Sequence, residues 1–240
     1  MVEMMIDVEN LKKRYGDFTA VDGISFCVGK GEIFGLIGPN GAGKTTTLRV
    51  LSTLLKVSDG KMTIAGKDLE KEPDEIRKMI SYLPEDAGAY KNLTGREYLK
   101  FMAKFFQRED GIDEIVEKGM EIASLGDSIE DKIDTYSKGM KRRLLVGRAL
   151  MIDPKLAILD EPTSGLDVIN AREVRQLIKE YAKGGTTILL SSHNMLEVDF
   201  LCDRISLIDD GMIVESGRPK QLKEKHSAEN IEEVFTKVVR

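Results

Sequence analysis

A glycine-rich segment near the N-terminus has the residue types that bind phosphate groups. It reads Gly-Pro-Asn-Gly-Ala-Gly-Lys-Thr over positions 38–45 and fits the pattern G-x-x-x-x-G-K-S/T. Glycines let backbone N–H groups turn inward around phosphate oxygens, and a following helix presents its positive end. Lys44 is placed to neutralise the β- and γ-phosphates, and Thr45 offers a hydroxyl to Mg2+. The predicted lining of this nucleotide site is Gly38, Pro39, Asn40, Gly41, Ala42, Gly43, Lys44, Thr45 and Thr46.

Two acidic residues follow a later apolar segment. Residues 156–159 are Leu-Ala-Ile-Leu, and Asp160 and Glu161 come directly after them. A buried strand that ends in two carboxylates delivers them to an electropositive group, and bound magnesium nucleotide is such a group. We expect Asp160 to hold the metal through water and Glu161 to orient or deprotonate the attacking water. For the glycine-rich segment the alternative is a turn that binds no ligand. For Asp160 and Glu161 the alternative is a solvated strand end.

The pattern of apolar residues predicts the elements that position these groups. Four short segments are apolar at nearly every position, as parallel strands buried on both faces are. They are residues 33–37, 80–83, 156–159 and 186–190. Alternation at Ile24, Phe26 and Val28 predicts a half-exposed antiparallel strand. The sequence therefore predicts an α/β fold: a P-loop NTPase core with a mainly parallel sheet and an N-terminal antiparallel β-subdomain.

The strand pattern stops between Thr94 and Met151, where we expect an all-helical insert. Thr94 and Glu97 form a capping box, and a further helix covers about 138–151. A hairpin is predicted from 205–208 and 212–214. The predicted organisation is a single domain of 1–240. Its parts are an α/β core (1–93 and 152–217), a helical subdomain (94–151) and a C-terminal helical tail (218–240).

Composition narrows the class of protein. The chain has 240 residues, of which 41% are apolar and 32% charged, and its net charge is −5. The acidic balance disfavours a nucleic-acid coat or a basic binder of membrane surfaces. Cys27 and Cys202 are too few for a disulfide framework and are predicted to be buried, reduced thiols. Nowhere do 18 apolar residues run together, so we expect a cytoplasmic chain.

Four segments together resemble the ATP-binding cassette ATPases, the nucleotide-binding subunits of ABC transporters. They are GPNGAGKTT, YSKGMKRR, LAILDEPTSGLD and SSHN. The resemblance spans nearly the whole chain, and it implies ATP and Mg2+ as ligands. It also implies two protein partners: a separate transmembrane permease subunit, and a second ABC ATPase subunit that forms a homodimer with this chain. No nucleic-acid partner is expected, and the chain would lie on the inner face of the cell membrane through the permease.

The resemblance assigns roles to single residues outside the phosphate loop. Ser137 and Gly139 would grip the γ-phosphate of ATP held by the opposite subunit, and Asp167 would contact that subunit. Ser137 is also placed to cap the helix that follows it. Tyr15 resembles the aromatic on which adenine stacks, with an ordinary surface tyrosine as the alternative. His193 resembles the histidine that touches the γ-phosphate, with a satisfied loop histidine as the alternative.

The chain departs from the commonest family pattern at a few positions. Lys138 and Met140 stand where Gly and Gln are usual, and Glu85 stands where a Gln contacts magnesium and the nucleophilic water. These departures resemble the exporter branch that works with ABC-2-type membrane subunits. The resemblance therefore places Glu85 among the catalytic and metal-binding candidates. A carboxylate there adds negative charge near Asp160 and Glu161, so magnesium should matter more to the local electrostatics.

The sequence leaves one functional alternative open. The main hypothesis is an exporter ATPase driven by ATP-dependent head-to-tail dimerisation and opened by hydrolysis. The alternative is a soluble ABC-type ATPase for cytosolic assembly or remodelling. A switch GTPase is disfavoured because no N-K-x-D guanine motif is present. In the exporter hypothesis the segment 86–93 contacts the membrane subunit through Ala87, Ala89, Tyr90 and Leu93, and burial under the helical insert is the alternative.

Overall fold

A computed structural model describes residues 3–106 and 111–239 of the chain. Its strands, in chain order, are β1 (Met4–Tyr15), β2 (Phe18–Gly29), β3 (Ile33–Ile37), β4 (Asp59–Ile64), β5 (Lys67–Asp68), β6 (Ile80–Leu83), β7 (Leu156–Leu159), β8 (Thr187–Ser192), β9 (Arg204–Asp209) and β10 (Met212–Gly217). Its α-helices are α1 (Lys44–Leu51), α2 (Pro73–Arg77), α3 (Gly95–Ala103), α4 (Ile112–Ala123), α5 (Lys138–Leu150), α6 (Val168–Lys183), α7 (Met195–Leu201), α8 (Pro219–Lys225) and α9 (Ile231–Val238). Two 3-10 helices, Gly126–Glu130 and Ile133–Thr135, lie between α4 and α5.

Two sheets confirm the predicted α/β fold. The larger has six strands in the order β10-β9-β3-β8-β7-β6, and its pairings from β9 to β6 are all parallel. Strand β10 joins it as the antiparallel partner of β9, as the predicted hairpin requires. The smaller sheet is antiparallel, with the order β2-β1-β4-β5.

Strand β3 shows why these segments are apolar at consecutive positions. Its side chains alternate between the two faces of the sheet. Ile33 and Ile37 pack into a core shared with the helices of the insert, whereas Phe34 and Leu36 pack toward the antiparallel sheet and α1. Both faces are therefore covered, and each buried aliphatic side chain contributes about 1.5–3 kcal/mol of burial free energy. The strand that precedes the phosphate loop is fixed by packing on both sides.

The segment from Thr94 to Met151 carries helices α3 to α5. The capping box is present: the Thr94 hydroxyl accepts from the Glu97 N–H, and the Glu97 carboxylate accepts from the Thr94 N–H. Helix α5 begins after Ser137, whose hydroxyl accepts from the Met140 N–H at 3.1 Å. Its starting point is therefore set by a side-chain cap.

The prediction of two buried thiols is half wrong. Cys202 is buried at the end of α7, and burial raises the pKa of its thiol. Cys27 is only partly buried. The reason is the alternation along β2, where Phe26 and Val28 point into the core and Cys27 lies on the opposite face. Within residues 3–106 and 111–239, no helix is both long enough and apolar enough to cross a bilayer.

Candidate functional site

The candidate residues gather where neighbouring parallel strands end. Gly38 follows β3, Glu85 lies beyond β6, Asp160 follows β7 and His193 follows β8. These four strands are consecutive in the sheet, in the order β3-β8-β7-β6. Because the carboxyl ends of parallel strands meet at one edge, side chains distant in sequence converge there.

The phosphate loop ends in a helix that no side chain caps. Gly43 is the N-cap of α1, with φ +100°, and a β-carbon there would lie 2.6 Å from the Ala20 carbonyl oxygen. Glycine is therefore required for both conformation and space. Gly41 has φ +85°, and a β-carbon added to it would meet no atom within 4 Å. The first turn of α1 has no acidic residue, so its N–H groups and dipole can stabilise an anion.

Lys44 is almost completely buried, at 5% exposure. Its Nζ donates hydrogen bonds to the carbonyl oxygens of Gly38, at 2.7 Å, and Pro39, at 3.0 Å. It also lies 3.3 Å from Glu161 Oε1, which is an ion pair by distance although Oε1 accepts no hydrogen bond. A buried ammonium group needs such partners, and they hold its charge at the mouth of the phosphate loop.

Glu161 is held on both sides of its carboxylate. Oε2 lies 2.8 Å from His193 Nδ1, and Oε1 faces Lys44. Its backbone has φ +49°, in the left-handed region that a non-glycine residue adopts at a cost of about 1–2 kcal/mol. The Glu161 N–H donates to Ser191 Oγ at 2.9 Å, which fixes this conformation. The carboxylate is 4% exposed and directed by its neighbours rather than by solvent.

Asp160 is fully buried and accepts three hydrogen bonds from side chains. Ser191 Oγ donates at 2.6 Å and Thr45 Oγ1 at 3.1 Å to one carboxylate oxygen, and the Tyr82 hydroxyl donates at 3.3 Å to the other. Burial, followed by the charge of Asp160, raises the pKa of Tyr82 to about 12. Tyr82 therefore stays protonated near neutral pH and remains a donor to Asp160.

The oxygen ligands beside the phosphate loop fit a Mg2+ ion that is shared with a nucleotide. The Thr45 hydroxyl and the Asp160 carboxylate are adjacent, and both are oxygen ligands. Within the described ranges, no group of three or more His, Cys, Asp or Glu side chains could enclose a metal ion. Mg2+ usually takes one or two carboxylates from the protein and its remaining ligands from phosphates and water. The residues therefore suit a magnesium ion that is shared with a nucleotide.

A cleft of about 380 Å³ joins the phosphate loop to the acidic residues. Its lining is Tyr15, Phe18, Ala20, Asn40, Gly41, Gly43, Lys44, Thr45, Thr46, Glu85 and Glu161. Tyr15 is exposed at the cleft, with Lys13 Nζ 4.9 Å from its ring centroid. Phe18 pairs with Tyr15 across the β1–β2 hairpin, so the cleft has two exposed aromatic rings where the sequence prediction has one. Their sequence separation and the intervening Gly16 would have indicated the hairpin.

Glu85 lies at the cleft on the side of strand β6. Ser164 Oγ donates a hydrogen bond to its Oε1 at 3.3 Å. This contact links the loop after β6 to the loop after Asp160 and Glu161. Three carboxylates, those of Glu85, Asp160 and Glu161, therefore belong to one edge of the sheet.

The structure does not bring Ser137, Gly139 and Asp167 into this cleft. They lie at the N-termini of α5 and α6, whose first turns touch. A β-carbon at Gly139 would come within 1.9 Å of the Asn170 side chain, so this contact requires glycine. Asp167 caps α6 by accepting from the N–H groups of Ile169 and Asn170, each at 3.0 Å. We call these three residues the signature edge, and Lys44, Thr45, Asp160, Glu161 and His193 the phosphate edge.

The segment after Glu85 is divided between core and surface. Ala87, Ala89 and Leu93 are partly buried against the core, as the burial alternative describes. Tyr90 is exposed and meets Phe101 edge to face, with ring centroids 5.4 Å apart. Phe101 meets Phe105 in the same way at 5.3 Å, and both are exposed. Three aromatic rings therefore form one surface cluster, two of them from α3 and its end.

The sequence and the structure are similar to those of known proteins. The sequence model of the family described as "ABC transporter" matches residues 21–164. The linearmycin resistance ATP-binding protein LnrL of Bacillus subtilis (strain 168) is 41% identical over 91% of this chain and 70% of that protein. The bacitracin transport ATP-binding protein BcrA of Bacillus licheniformis is 39% identical over 92% of this chain and 72% of that protein. A solved structure described as the ATP binding subunit of an ABC transporter superposes with a TM-score of 0.86. It is 26% identical and covers 98% of this chain and 100% of its own.

Proposed function

Because this chain belongs to the ABC transporter family and is an ATP-binding, ATP-hydrolysing subunit, we propose that two copies close head to tail around ATP and that hydrolysis opens them. Relatives named for linearmycin resistance and bacitracin transport support an export role. Their names count against a soluble remodelling ATPase. The transported substance is chosen by the membrane partner.

The observation that carries the proposal is that the Glu161 carboxylate lies 3.3 Å from Lys44 Nζ and 2.8 Å from His193 Nδ1. The Glu161 carboxylate takes the proton from water as that water attacks the γ-phosphorus of ATP. The bond from the γ-phosphorus to the bridging oxygen breaks, which gives ADP and inorganic phosphate. Lys44 and the N–H groups of the loop stabilise the phosphate charge, and His193 orients Glu161 and reaches the γ-phosphate.

Thr45, Asp160 and Glu85 would hold Mg2+ directly or through water, and the metal would supply neutralisation of the phosphate charge. Ser191 and Tyr82 keep the Asp160 carboxylate oriented toward Thr45. Glu85 adds a negative charge at the position where the family commonly has an uncharged Gln. We therefore expect hydrolysis to depend steeply on the Mg2+ concentration.

A second copy of this chain completes the site in the proposal. Ser137 is exposed at the N-terminus of α5 and does not line the cleft of its own subunit. Beside Asp167, the side chains of Val168 and Ile169 are 82% and 73% exposed. Apolar residues this exposed next to a helix N-terminus fit a protein interface. The partner's ATP then meets Ser137 and Gly139, and Asp167 meets the partner itself.

A transmembrane permease subunit is the other proposed partner, and it would hold the chain at the inner face of the membrane. Tyr90, Phe101 and Phe105 form an exposed aromatic cluster next to the loop that carries Glu85. Aromatic residues are enriched at the centres of protein interfaces. A contact there would reach the catalytic cleft through the short segment between Tyr90 and Glu85.

The proposal is tested by Glu161→Gln. The amide keeps the shape of the side chain but cannot take a proton, so ATP hydrolysis should fall about 100- to 10,000-fold while ATP binding persists. Light scattering with ATP and Mg2+ should then show a trapped dimer. Glu173→Gln is the matched control, because Glu173 pairs with Arg143 outside the cleft. Unchanged hydrolysis would remove Glu161 from its role as base, and a monomer in saturating ATP would contradict the pairing.

A further inference from the structure

Arg142 is a charged residue placed inside the protein, at 7% exposure. It lies on α5, the helix that begins after Ser137. A buried guanidinium is costly unless its donors are satisfied, so its partners show what it is there to hold. Burial lowers the pKa of Arg142, and the charges of Asp160, Glu85 and Glu161 oppose that shift.

All of the hydrogen bonds described for Arg142 go to backbone carbonyl oxygens of two loops. One loop follows β6 and the other follows β7. The acceptors are Glu161 at 2.7 Å, Pro162 at 2.8 Å, Asp160 at 2.9 Å, Glu85 at 3.2 Å and Pro84 at 3.4 Å. The planar fork of arginine can bridge several acceptors at fixed angles, which a lysine cannot do. The backbones that carry three acidic residues are therefore fastened to one side chain.

The charge of Arg142 has a second consequence. Glu85, Asp160 and Glu161 place three carboxylates at one edge of the sheet, and Lys44 faces Glu161. Arg142 interacts electrostatically with all three acidic residues. Like charges gathered at one edge raise each other's free energy unless a cation lies near them. Arg142 supplies such a cation from a buried position.

We propose that Arg142 is a positioning residue for ATP hydrolysis. It fastens helix α5, which carries Ser137 at its start, to the loops that carry Glu85, Asp160 and Glu161. When Ser137 engages the nucleotide of the partner subunit, a movement of α5 is transmitted through Arg142 to the carboxylate that activates water. This inference rests on the proposed roles of Glu161 and Ser137, and it goes beyond them by naming the link between them.

The test is Arg142→Gln in the purified full chain, measured by steady-state hydrolysis of ATP with Mg2+. We expect kcat to fall about 10- to 100-fold, because the carboxylates lose their alignment, while KM for ATP changes less than about twofold. Arg142→Lys keeps the charge without the planar fork of donors, so its kcat should lie between those of Arg142→Gln and the unmodified chain. Arg143→Gln is the matched control on the same helix, because Arg143 contacts Ser124 and Glu173 instead of the acidic loops. Its kcat should match that of the unmodified chain.

The double variant Glu85→Gln/Arg142→Gln isolates the charge. The cost of losing Arg142 should be smaller in the Glu85→Gln background, since one of the three carboxylate charges is gone. If Arg142→Gln alone fails to fold, the same comparison is made with Arg142→Lys in the two backgrounds. Equal costs in the two backgrounds would overturn the charge role, and an unchanged kcat in a folded Arg142→Gln would overturn the positioning role. A rise in KM with kcat unchanged would also overturn the positioning role. The Glu161→Gln assay separately reports any failure of the proposed catalytic role of Glu161.

Discussion

Lys44, Asp160 and Glu161 are buried and held by partners from their own chain, whereas Ser137 is exposed at the end of a helix. At the phosphate edge, neighbouring strands bring the donors and acceptors together. At the signature edge, helix caps are satisfied locally, and Val168 and Ile169 remain open to solvent. One edge is assembled when the chain folds, and the other is the edge that the proposed pairing assigns to a second subunit.

The difference follows from the cost of burying charge. A carboxylate or an ammonium group inside a protein must find partners during folding, so its geometry is set before any ligand arrives. An exposed hydroxyl at a helix N-terminus has no such requirement, and its capping bond keeps the anion-binding end of the helix in place. Substitutions at the two edges should therefore separate loss of local chemistry from loss of assembly.

Lys44→Ala breaks the phosphate edge and should have the largest effect. Removing the ammonium group leaves the buried Glu161 carboxylate facing an uncharged side chain and removes the cation at the phosphates. We expect hydrolysis to fall about 1,000-fold. Nucleotide affinity should fall with it, as measured with a fluorescent ATP analogue. Thermal unfolding should show a destabilisation of about 3 kcal/mol.

Lys30→Ala is the control for this change, because Lys30 forms an exposed ion pair with Glu3 far from the cleft. It should leave both hydrolysis and stability nearly unchanged. If Lys44→Ala kept the ATP affinity of the unmodified chain, the buried ammonium would belong to the fold alone. The difference between the buried phosphate edge and the exposed signature edge would then have no bearing on ATP binding.

Ser137→Ala sharpens the comparison from the other side. The hydroxyl caps α5, so its loss should cost about 1 kcal/mol of stability. It should also lower hydrolysis about tenfold, as expected for one lost hydrogen bond to a charged group at the completed site. The affinity of the isolated subunit for ATP should not change, because Ser137 does not line its own cleft.

Thr94→Ala is the matched control, because Thr94 caps α3 in the same helical segment. It should cost a similar amount of stability and leave hydrolysis unchanged. A loss of hydrolysis as large as that of Ser137→Ala would show that cap stability, rather than contact with nucleotide, explains both variants.

The parts of the two edges that could be predicted from the sequence depend on local patterns. The phosphate loop and the Asp160–Glu161 pair each follow a short apolar strand, and both the pattern and the burial are encoded within about ten residues. The cap at Ser137 is similarly local, since it requires one hydroxyl before a helical segment.

The remaining parts depend on which strands become neighbours. Ser191 contacts Asp160 and Glu161 because β8 lies beside β7 in the sheet, and nothing in the sequence around Ser191 indicates that pairing. Arg142 stands in a segment of four basic residues in which solvent-exposed side chains are the normal expectation. Its burial follows from the packing of α5 under the ends of β6 and β7. Long-range register is therefore what sequence patterns leave undetermined here.

Tyr82→Phe removes one of the three side-chain hydrogen bonds to Asp160 and should have the smallest effect of these substitutions. Asp160 keeps its hydrogen bonds from Ser191 and Thr45, so we expect hydrolysis to fall only about two- to threefold, the cost of one long hydrogen bond. Burial and the charge of Asp160 raise the pKa of Tyr82 to about 12. A tyrosine whose pKa is raised on folding stabilises the fold below its unfolded pKa of about 10, and this contribution is lost as the pH rises toward 12.

Tyr181→Phe separates this stability from catalysis. Burial, together with the charges of Asp153 and Glu121, also raises the pKa of Tyr181, which lies on α6 outside the cleft. Chemical denaturation between pH 9 and pH 12 should show a smaller alkaline loss of stability in both variants than in the unmodified chain, over about the same window. Only Tyr82→Phe should change hydrolysis, because Tyr82 donates to Asp160 and Tyr181 lies outside the cleft. Equal rates in the two variants would mean that the hydrogen bonds from Thr45 and Ser191 orient Asp160 without Tyr82.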